Sequence, residues 1–169
     1  IERFLCANNQ NATLHRIISR GEFRTEPLRP SVSSAIDIVV PYNFWRYLYL
    51  PCGRDAARIR GWMEELHRNG GFRLDPATHR EIEARFLSAS ISDDQTLSTI
   101  RGVFERTGGY ALDPHAAVAV AAAEQASDRI AAGAKVLCFA TAHPAKFPTV
   151  LRRALGMAGT LPMQLEHES

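Results

Sequence analysis

Residues 135–147 have the sequence KVLCFATAHPAKF, in which an uninterrupted apolar run ends in a turn that contains a proline. A continuous run of this kind is typical of a strand that is buried on both faces of a parallel sheet. Before it, an alanine-rich helix is predicted over residues 114–132, with Asp113 as its N-cap. After it, a further helix begins at Pro144 or Ala145. The order helix, buried strand, turn and helix predicts an α/β fold with a parallel sheet and flanking helices.

The rest of the chain is predicted to contain short strands and amphipathic helices. Gly21 ends the predicted helix 13–19, and Ser92 with Gln95 forms a capping box at the start of the predicted helix 92–106. Residues 41–109 therefore form a helical segment in the middle of the chain. In chain order we predict a strand over 1–7, a helix over 13–19, a loop over 22–34, an extended segment or short strand over 36–40, and helices over 42–50, 55–68, 75–87 and 92–106.

Composition excludes several classes of protein. The chain has 169 residues, of which 46% are hydrophobic and 22% charged, enough for one domain with a buried core. A net charge of +2 provides no strong field for binding nucleic acid or an anionic membrane. No apolar run is long enough to span a bilayer. The three cysteines lack CxxC spacing, so neither a disulfide scaffold nor a metal site is expected.

Two features of the sequence bear on its context. The chain begins with Ile1 inside a predicted strand, which we interpret as a cut within a longer protein. No signal peptide is evident, and we expect a cytoplasmic location. Of the 20 basic residues, 18 are arginine, so chemistry that needs a lysine has Lys135 and Lys146 as its candidates.

Ligands of open α/β sheets bind beyond the carboxyl ends of the strands. The loop 8–11 and the turn 141–143 occupy such positions. The Thr141 hydroxyl could bond a neutral ring nitrogen there, or Thr141 and His143 could simply cap the turn before the proline. His115 could be a polar residue of a first helical turn, a packed core histidine or a catalytic group.

Several stretches resemble threonine synthase, in its longer bacterial and fungal form, and they occur in the same order as in that family. The most specific is TAHPAKF at residues 141–147, preceded by PHAAVA at 114–119 where the family has PHxAVA. The supporting matches are ANNQN at 7–11 with Leu14 and Arg16 (family ATNxND…R), SSAIDI at 33–38 with Pro41, Asn43 and Phe44 (family LSxxMDIxxPxNF), and Leu161-Pro162 (family tail).

The resemblance implies a fold type II enzyme dependent on pyridoxal 5'-phosphate (PLP), with residues 1–169 as the C-terminal portion of its large, PLP-binding domain. Such an enzyme converts O-phospho-L-homoserine and water into L-threonine and phosphate, the cofactor acting as electron sink. The threonine of the family's TAHPAKF motif contacts the pyridine nitrogen, a role that carries over to Thr141. Asn9, Asn11 and His143 are expected in the vicinity of substrate or cofactor.

The resemblance also implies what this chain lacks. The family's Schiff-base lysine and Gly-Asn-Phe-Gly phosphate loop lie upstream of the segment that matches Ile1. No residue here is therefore expected to be catalytic, and the chain alone is expected neither to bind PLP covalently nor to turn over substrate. Its expected partner is the N-terminal remainder of the same protein.

The sequence departs from the family at four positions. Asn8 and Ala12 stand where the family has threonine and aspartate, His15 replaces a proline, and Trp45 replaces a glutamate. The loss of a charged side chain at Ala12 leaves two alternatives open. One is a divergent enzyme that acts on a related phosphorylated or hydroxylated amino acid. The other is a non-catalytic half-domain that serves as a binding or regulatory module.

Overall fold

A computed structural model describes residues 3–156 of the protein. The predicted match at Leu161-Pro162 lies outside the described residues, as do the first two residues of the predicted strand 1–7. The elements are β1 (Phe4–Asn8), α1 (Thr13–Arg20), β2 (Glu22–Arg24), a 3-10 turn (Ser34–Ile36), α2 (Tyr42–Leu48), α3 (Ala56–Asn69), β3 (Gly71–Arg73), α4 (Pro76–Arg85), β4 (Phe86–Ser90), α5 (Asp93–Arg106), α6 (Pro114–Gln125), two 3-10 turns (Ser127–Arg129 and Pro144–Lys146) and α7 (Pro148–Leu155).

Two strands distant in sequence form a parallel sheet. β1 pairs with β4 in a register that places Cys6 beside Ser88 and Asn8 beside Ser90. Helices α1 and α6 both pack on this sheet. β2 and β3 form a separate antiparallel pair. The parallel sheet with flanking helices confirms the predicted α/β fold.

Side-chain caps set the starts of the helices that the sequence predicted best. Asp113 accepts hydrogen bonds from the N–H groups of the first turn of α6, and Ser92 and Gln95 form the capping box of α5. Asp75 caps α4 in the same way. A cap of this kind is worth about 1 kcal/mol. α6 ends at Gln125, seven residues before the predicted end, and a 3-10 turn follows it.

The core consists of three groups of buried side chains. One joins α1, β2, β3 and α3 around Phe23, Phe72 and Trp62. A second joins α5, α6 and α7 around Ile100 and Leu151. The third is formed by β4 and α6, where strand alanines meet helix alanines at close approach. α6 therefore packs on the sheet with one side and on α5 with another, and its N-terminus lies where the two halves of the chain meet.

The strand predicted over residues 135–140 is not formed. This segment has no regular secondary structure, and Leu137 and Phe139 are 78% and 74% exposed. A strand buried on both faces needs neighbouring strands at its edges and helices over its faces. Within residues 3–156 no strand pairs with this segment, so its apolar side chains stay exposed.

Three further predictions are wrong in their details. Phe86 and Leu87 belong to β4 rather than to the predicted helix 75–87, because they pair with β1 instead of continuing α4. The predicted loop 22–34 contains β2, which β3 stabilises. Residues 36–40 hold the end of a 3-10 turn and no strand. The segment 41–109 therefore contains two short strands in addition to its helices.

Candidate functional site

The loop that follows β1 is organised by one half-buried carboxylate. Asp37 Oδ1 accepts hydrogen bonds from Asn9 Nδ2 at 2.6 Å, Ser31 Oγ at 2.6 Å and Asn11 Nδ2 at 3.0 Å. Asp37 Oδ2 accepts from the Ser31 backbone N–H at 3.0 Å. These charge-assisted bonds fix the loop after β1 against residues 31–37.

Asn9 and Asn11, predicted in the vicinity of substrate or cofactor, are brought together by these bonds, and their side chains are engaged within the protein. Asn9 is 2% exposed, and its Oδ1 accepts from both the backbone and the side chain of Asn11. Asn11 also exchanges hydrogen bonds with the backbone of Arg29. Both asparagines therefore shape the loop. Asp37 was not among the predicted site residues, although it is the single charged residue between positions 30 and 45.

A cavity of about 120 Å³ lies beside this loop, at the carboxyl end of β1. Its lining includes Asn8, Ala12 and Ile36. Ala12 has a φ of 55°, which is unfavourable for a residue with a Cβ, and it precedes α1 without offering a side-chain cap. Backbone strain next to a cavity is typical of binding loops, which favours this edge of the sheet as a ligand site.

Thr141 and His143 differ in their roles at the second predicted loop. His143 Nδ1 accepts a hydrogen bond from the Ala145 N–H at 3.3 Å and so caps the 3-10 turn Pro144–Lys146. Thr141 is exposed, and its hydroxyl has no hydrogen-bond partner within residues 3–156. Lys146 is also exposed. Within these residues the Thr141 hydroxyl is thus unpaired, whereas His143 caps the turn.

His115 contacts residues that lie close in sequence to each of these loops. The Ala35 N–H donates to His115 Nε2 at 3.1 Å, and His115 Nδ1 lies 2.9 Å from Asp113 Oδ1. The imidazole also packs edge-on against Phe147, with ring centroids 5.0 Å apart. Sequence reasoning placed His115 in a first helical turn but had no signal for partners far away in the chain.

Two of the departures from the family pattern also make internal contacts. Asn8 Nδ2 donates to the Cys6 carbonyl at 3.0 Å, and Asn8 Oδ1 accepts from the His15 N–H at 3.2 Å. His15 Nδ1 lies 3.0 Å from the Ser88 Oγ. Burial lowers the pKa of His15 below 6.5, and the charge of Arg20 adds to this shift. These side chains thus support the sheet, and Asn8 also lines the cavity at the end of β1.

Neither a reactive thiol nor a metal centre is part of this site. Burial raises the pKa of Cys6 to about 11, which keeps it protonated and unreactive near neutral pH. Within the described part of the chain, no three His, Cys, Asp or Glu side chains come together as metal ligands. Among the helices of residues 3–156, none has the length and apolar character needed to cross a membrane.

Known structures place this fold. The chain is similar to the PLP-bound threonine synthase of Brucella melitensis with a TM-score of 0.88 and 35% sequence identity, over 98% of this chain and 35% of that one. The parallel α/β sheet, its flanking helices and the loops at the strand ends therefore define the class: this is part of a fold type II PLP-enzyme domain.

Sequence relatives narrow the class to one family. The threonine synthase of Pseudomonas aeruginosa is 33% identical over 166 residues, and threonine synthase-like 2 of Homo sapiens is 33% identical over 170. Each match covers 98% of this chain and 35% of the relative. The family model "Threonine synthase, C-terminal" matches residues 116–168. The chain is similar to the C-terminal portion of threonine synthases and spans about a third of the length of these relatives.

Proposed function

We propose that this chain is the C-terminal portion of a PLP-dependent threonine synthase that converts O-phospho-L-homoserine and water into L-threonine and phosphate. The observation that carries the proposal is the match in sequence and fold, across 98% of the chain, to a threonine synthase with PLP bound. The N-terminal remainder of the same protein would supply the Schiff-base lysine and the phosphate loop. Neither Lys135 nor Lys146 has that role in the proposal.

Thr141 suits the part of the cofactor site that this chain would provide. Its hydroxyl is exposed, has no partner in the described residues and follows directly after an extended segment. A hydroxyl can donate to, or accept from, a pyridine nitrogen, and it leaves the ring less fully protonated than a carboxylate would. PLP would supply the electron sink on which the β,γ-replacement depends. The role of Thr141 would be to hold the ring and to set its electron demand.

The loop after β1 would form one wall of the substrate site. Asp37 holds it through Asn9 and Asn11, so its backbone is fixed before a ligand arrives. Such preorganisation lowers the entropic cost of orienting a substrate. The cavity of about 120 Å³ beside Ala12 would then admit the small amino-acid end of the substrate.

The exposed segment 135–140 supports the proposed partner. Three of its apolar residues, Val136, Leu137 and Phe139, are each about half or more exposed. A neighbouring strand and helix from the N-terminal remainder would bury them and complete a strand that ends at Thr141. Assembly would thus also place the Thr141 hydroxyl in the cofactor site.

The test is Thr141→Val in the complete protein, with Thr141→Ser as the variant that keeps the hydroxyl. Because valine matches threonine in shape but cannot form a hydrogen bond, we expect about a tenfold or greater loss in kcat/KM and a shifted cofactor absorbance. Thr149→Val, at an exposed position of α7, is the matched control and should change neither. An unchanged rate and spectrum in Thr141→Val would remove Thr141 from the site.

A second candidate is a lyase of the same family that acts on a different phosphorylated amino acid. The loop after β1 favours this candidate because Ala12, which lines the cavity, has no polar side-chain atom at the position where the family pattern has aspartate. Phosphate release from O-phospho-L-homoserine, compared with release from shorter phosphorylated amino acids, separates the two. Preference for a shorter substrate would support the second candidate.

A further inference from the structure

His115 is a buried histidine at the N-terminus of α6 whose two ring nitrogens both have partners. The residue is 8% exposed. On one side of the ring, Nδ1 faces the Asp113 carboxylate at 2.9 Å. On the other side, Nε2 accepts the backbone N–H of Ala35 at 3.1 Å. Ala35 is 80 residues away in sequence, so this bond joins two separate parts of the chain.

The partners fix the tautomer of the ring. Since the Ala35 N–H is a donor, Nε2 must be unprotonated. Since the Asp113 carboxylate is an acceptor, Nδ1 must carry the proton. Asp113 Oδ1 also accepts the backbone N–H groups of His115 and Ala116. The carboxylate that caps α6 therefore orients the imidazole as well, and the ring is locked in one position.

Two contacts of His115, with Ala35 and with Phe147, lead toward the two loops of the candidate site. Ala35 belongs to the 3-10 turn Ser34–Ile36, which is followed by Asp37, the residue that holds Asn9 and Asn11. Phe147, which packs against the imidazole edge-on, ends the segment 141–147 that begins with Thr141. Through His115, the loop after β1 and the Thr141 segment share one rigid anchor at the start of α6.

We propose that His115 is a positioning residue that sets the placement of the loop after β1 relative to the Thr141 segment. Its contacts are with Asp113, Ala35 and Phe147, and its effect on the two loops passes through Ala35 and Phe147. The functional meaning of this coupling rests on the proposed function, because it assumes that both loops face the same cofactor. The coupling itself depends only on contacts within this chain.

Two amide substitutions separate the halves of the bridge. In His115→Asn the shorter amide can still donate to Asp113 but cannot reach Ala35. In His115→Gln the longer side chain places an acceptor oxygen near the Ala35 N–H and loses the bond to Asp113. The two variants match in polarity and differ in the bond that remains, so each serves as the control for the other.

The first readout is amide hydrogen exchange in the 169-residue chain. We expect the Ala35 amide to exchange at least about fivefold faster in His115→Asn, with faster exchange spreading to residues 9–12, because a hydrogen bond that orders the turn is lost. In His115→Gln the Ala35 amide should stay protected, and α5 amides should change in neither variant. Equal acceleration in both variants, or none in His115→Asn, would overturn the proposal.

A measurement on the unsubstituted chain keeps the proposal open to refutation if either variant fails to fold. Nitrogen chemical shifts of the imidazole identify which ring nitrogen carries the proton. A proton on Nδ1 is expected, whereas a proton on Nε2 would mean that the bond from Ala35 is not formed.

The complete protein then tests the coupling to the cofactor. PLP affinity, followed by absorbance, should fall more in His115→Asn than in His115→Gln, in the same order as the exchange rates. PLP affinity that does not follow that order would refute the positioning role even if the bridge exists. If the unsubstituted complete protein binds no PLP, the proposed function fails, whereas the exchange data still decide whether His115 couples the loops.

Discussion

His15 replaces a proline of the family pattern and ties α1 to β4 through Ser88. Burial lowers the pKa of its imidazole below 6.5, the charge of Arg20 lowers it further, and the hydrogen bond with Ser88 opposes both only in part. The unfolded chain therefore binds a proton at a higher pH than the folded chain does. The stability that neutral His15 contributes is present above pH 6.5 and is lost as the pH falls through and below that value.

We expect the free energy of unfolding to decrease as the pH drops below 6.5, and His15→Gln to flatten this dependence. Glutamine is polar but cannot take up a proton. Urea denaturation between pH 5 and about 7.5 measures the effect, with His67→Gln at an exposed position of α3 as the control. If His15→Gln keeps the slope of the unsubstituted chain, another group is responsible for it.

Helix α4 shows how one capping carboxylate supports an element and its neighbour. Asp75 accepts from the Ala77 and Thr78 N–H groups and the Thr78 hydroxyl, and Arg58 on α3 donates to it at 3.2 Å. Burial alone would raise the pKa of Asp75, but the Thr78 hydrogen bonds and the charge of Arg58 outweigh it and lower the pKa below 3.8. Its stabilisation is therefore present above pH 3.8 and is lost as the pH falls through the lowered pKa.

Asp75→Ala should lower the free energy of unfolding by about 1 kcal/mol at pH 7, the usual value of a helix cap. The difference from the unsubstituted chain should shrink as the pH falls below 3.8, because a protonated Asp75 bonds these donors less strongly. Asp75→Asn keeps a capping oxygen and should retain most of the stability without that pH dependence. Denaturant titrations at several pH values compare the three chains. Equal losses in both variants would assign the effect to charge rather than to capping.

The elements predicted correctly are those with local signals. Asp113 before Pro114, and Ser92 three residues before Gln95, specify helix starts through bonds within one turn, and both are present. β4 was missed because no glycine or proline separates it from α4, and its pairing with β1 lies about 80 residues away. Local patterns thus predict where a helix begins far better than they predict which residues pair with a strand that is distant in sequence.

The candidate site was predicted in part for the same reason. Strand ends directed attention to the loop of Asn9 and Asn11, whose side chains are hydrogen-bonded to each other, while their place near a ligand stays a prediction. The role of Asp37 depends on a loop folding back over about 26 residues, and that of His115 on an N–H at a still greater distance. Neither partner follows from spacing in the sequence. The position of Thr141 relative to PLP stays a prediction.

At the scale of the whole molecule, the described residues form a well-packed set of helices on a small sheet, with one apolar segment left outside. The buried groups around Phe23 and Ile100 account for most large apolar side chains. Val136, Leu137 and Phe139 in the continuous apolar segment 135–140 are exposed instead. Contiguous exposed apolar residues are typical of surfaces that another chain or segment covers.

This exposure predicts that the 169-residue chain binds an apolar fluorescent dye and self-associates as its concentration rises. The double variant Leu137→Ser and Phe139→Ser should reduce both effects by more than half, because it removes the two most exposed apolar side chains of the segment. Leu50→Ser, at a site that is 58% exposed and lies outside this segment, is the matched control and should have little effect. Dye titration and sedimentation velocity measure the two properties. If the double variant behaves like the control, the segment is covered in solution by residues of this chain. A second experiment adds the N-terminal two-thirds of a threonine synthase in trans. If this addition suppresses dye binding to the unsubstituted chain, the segment 135–140 is the surface on which the rest of the enzyme assembles.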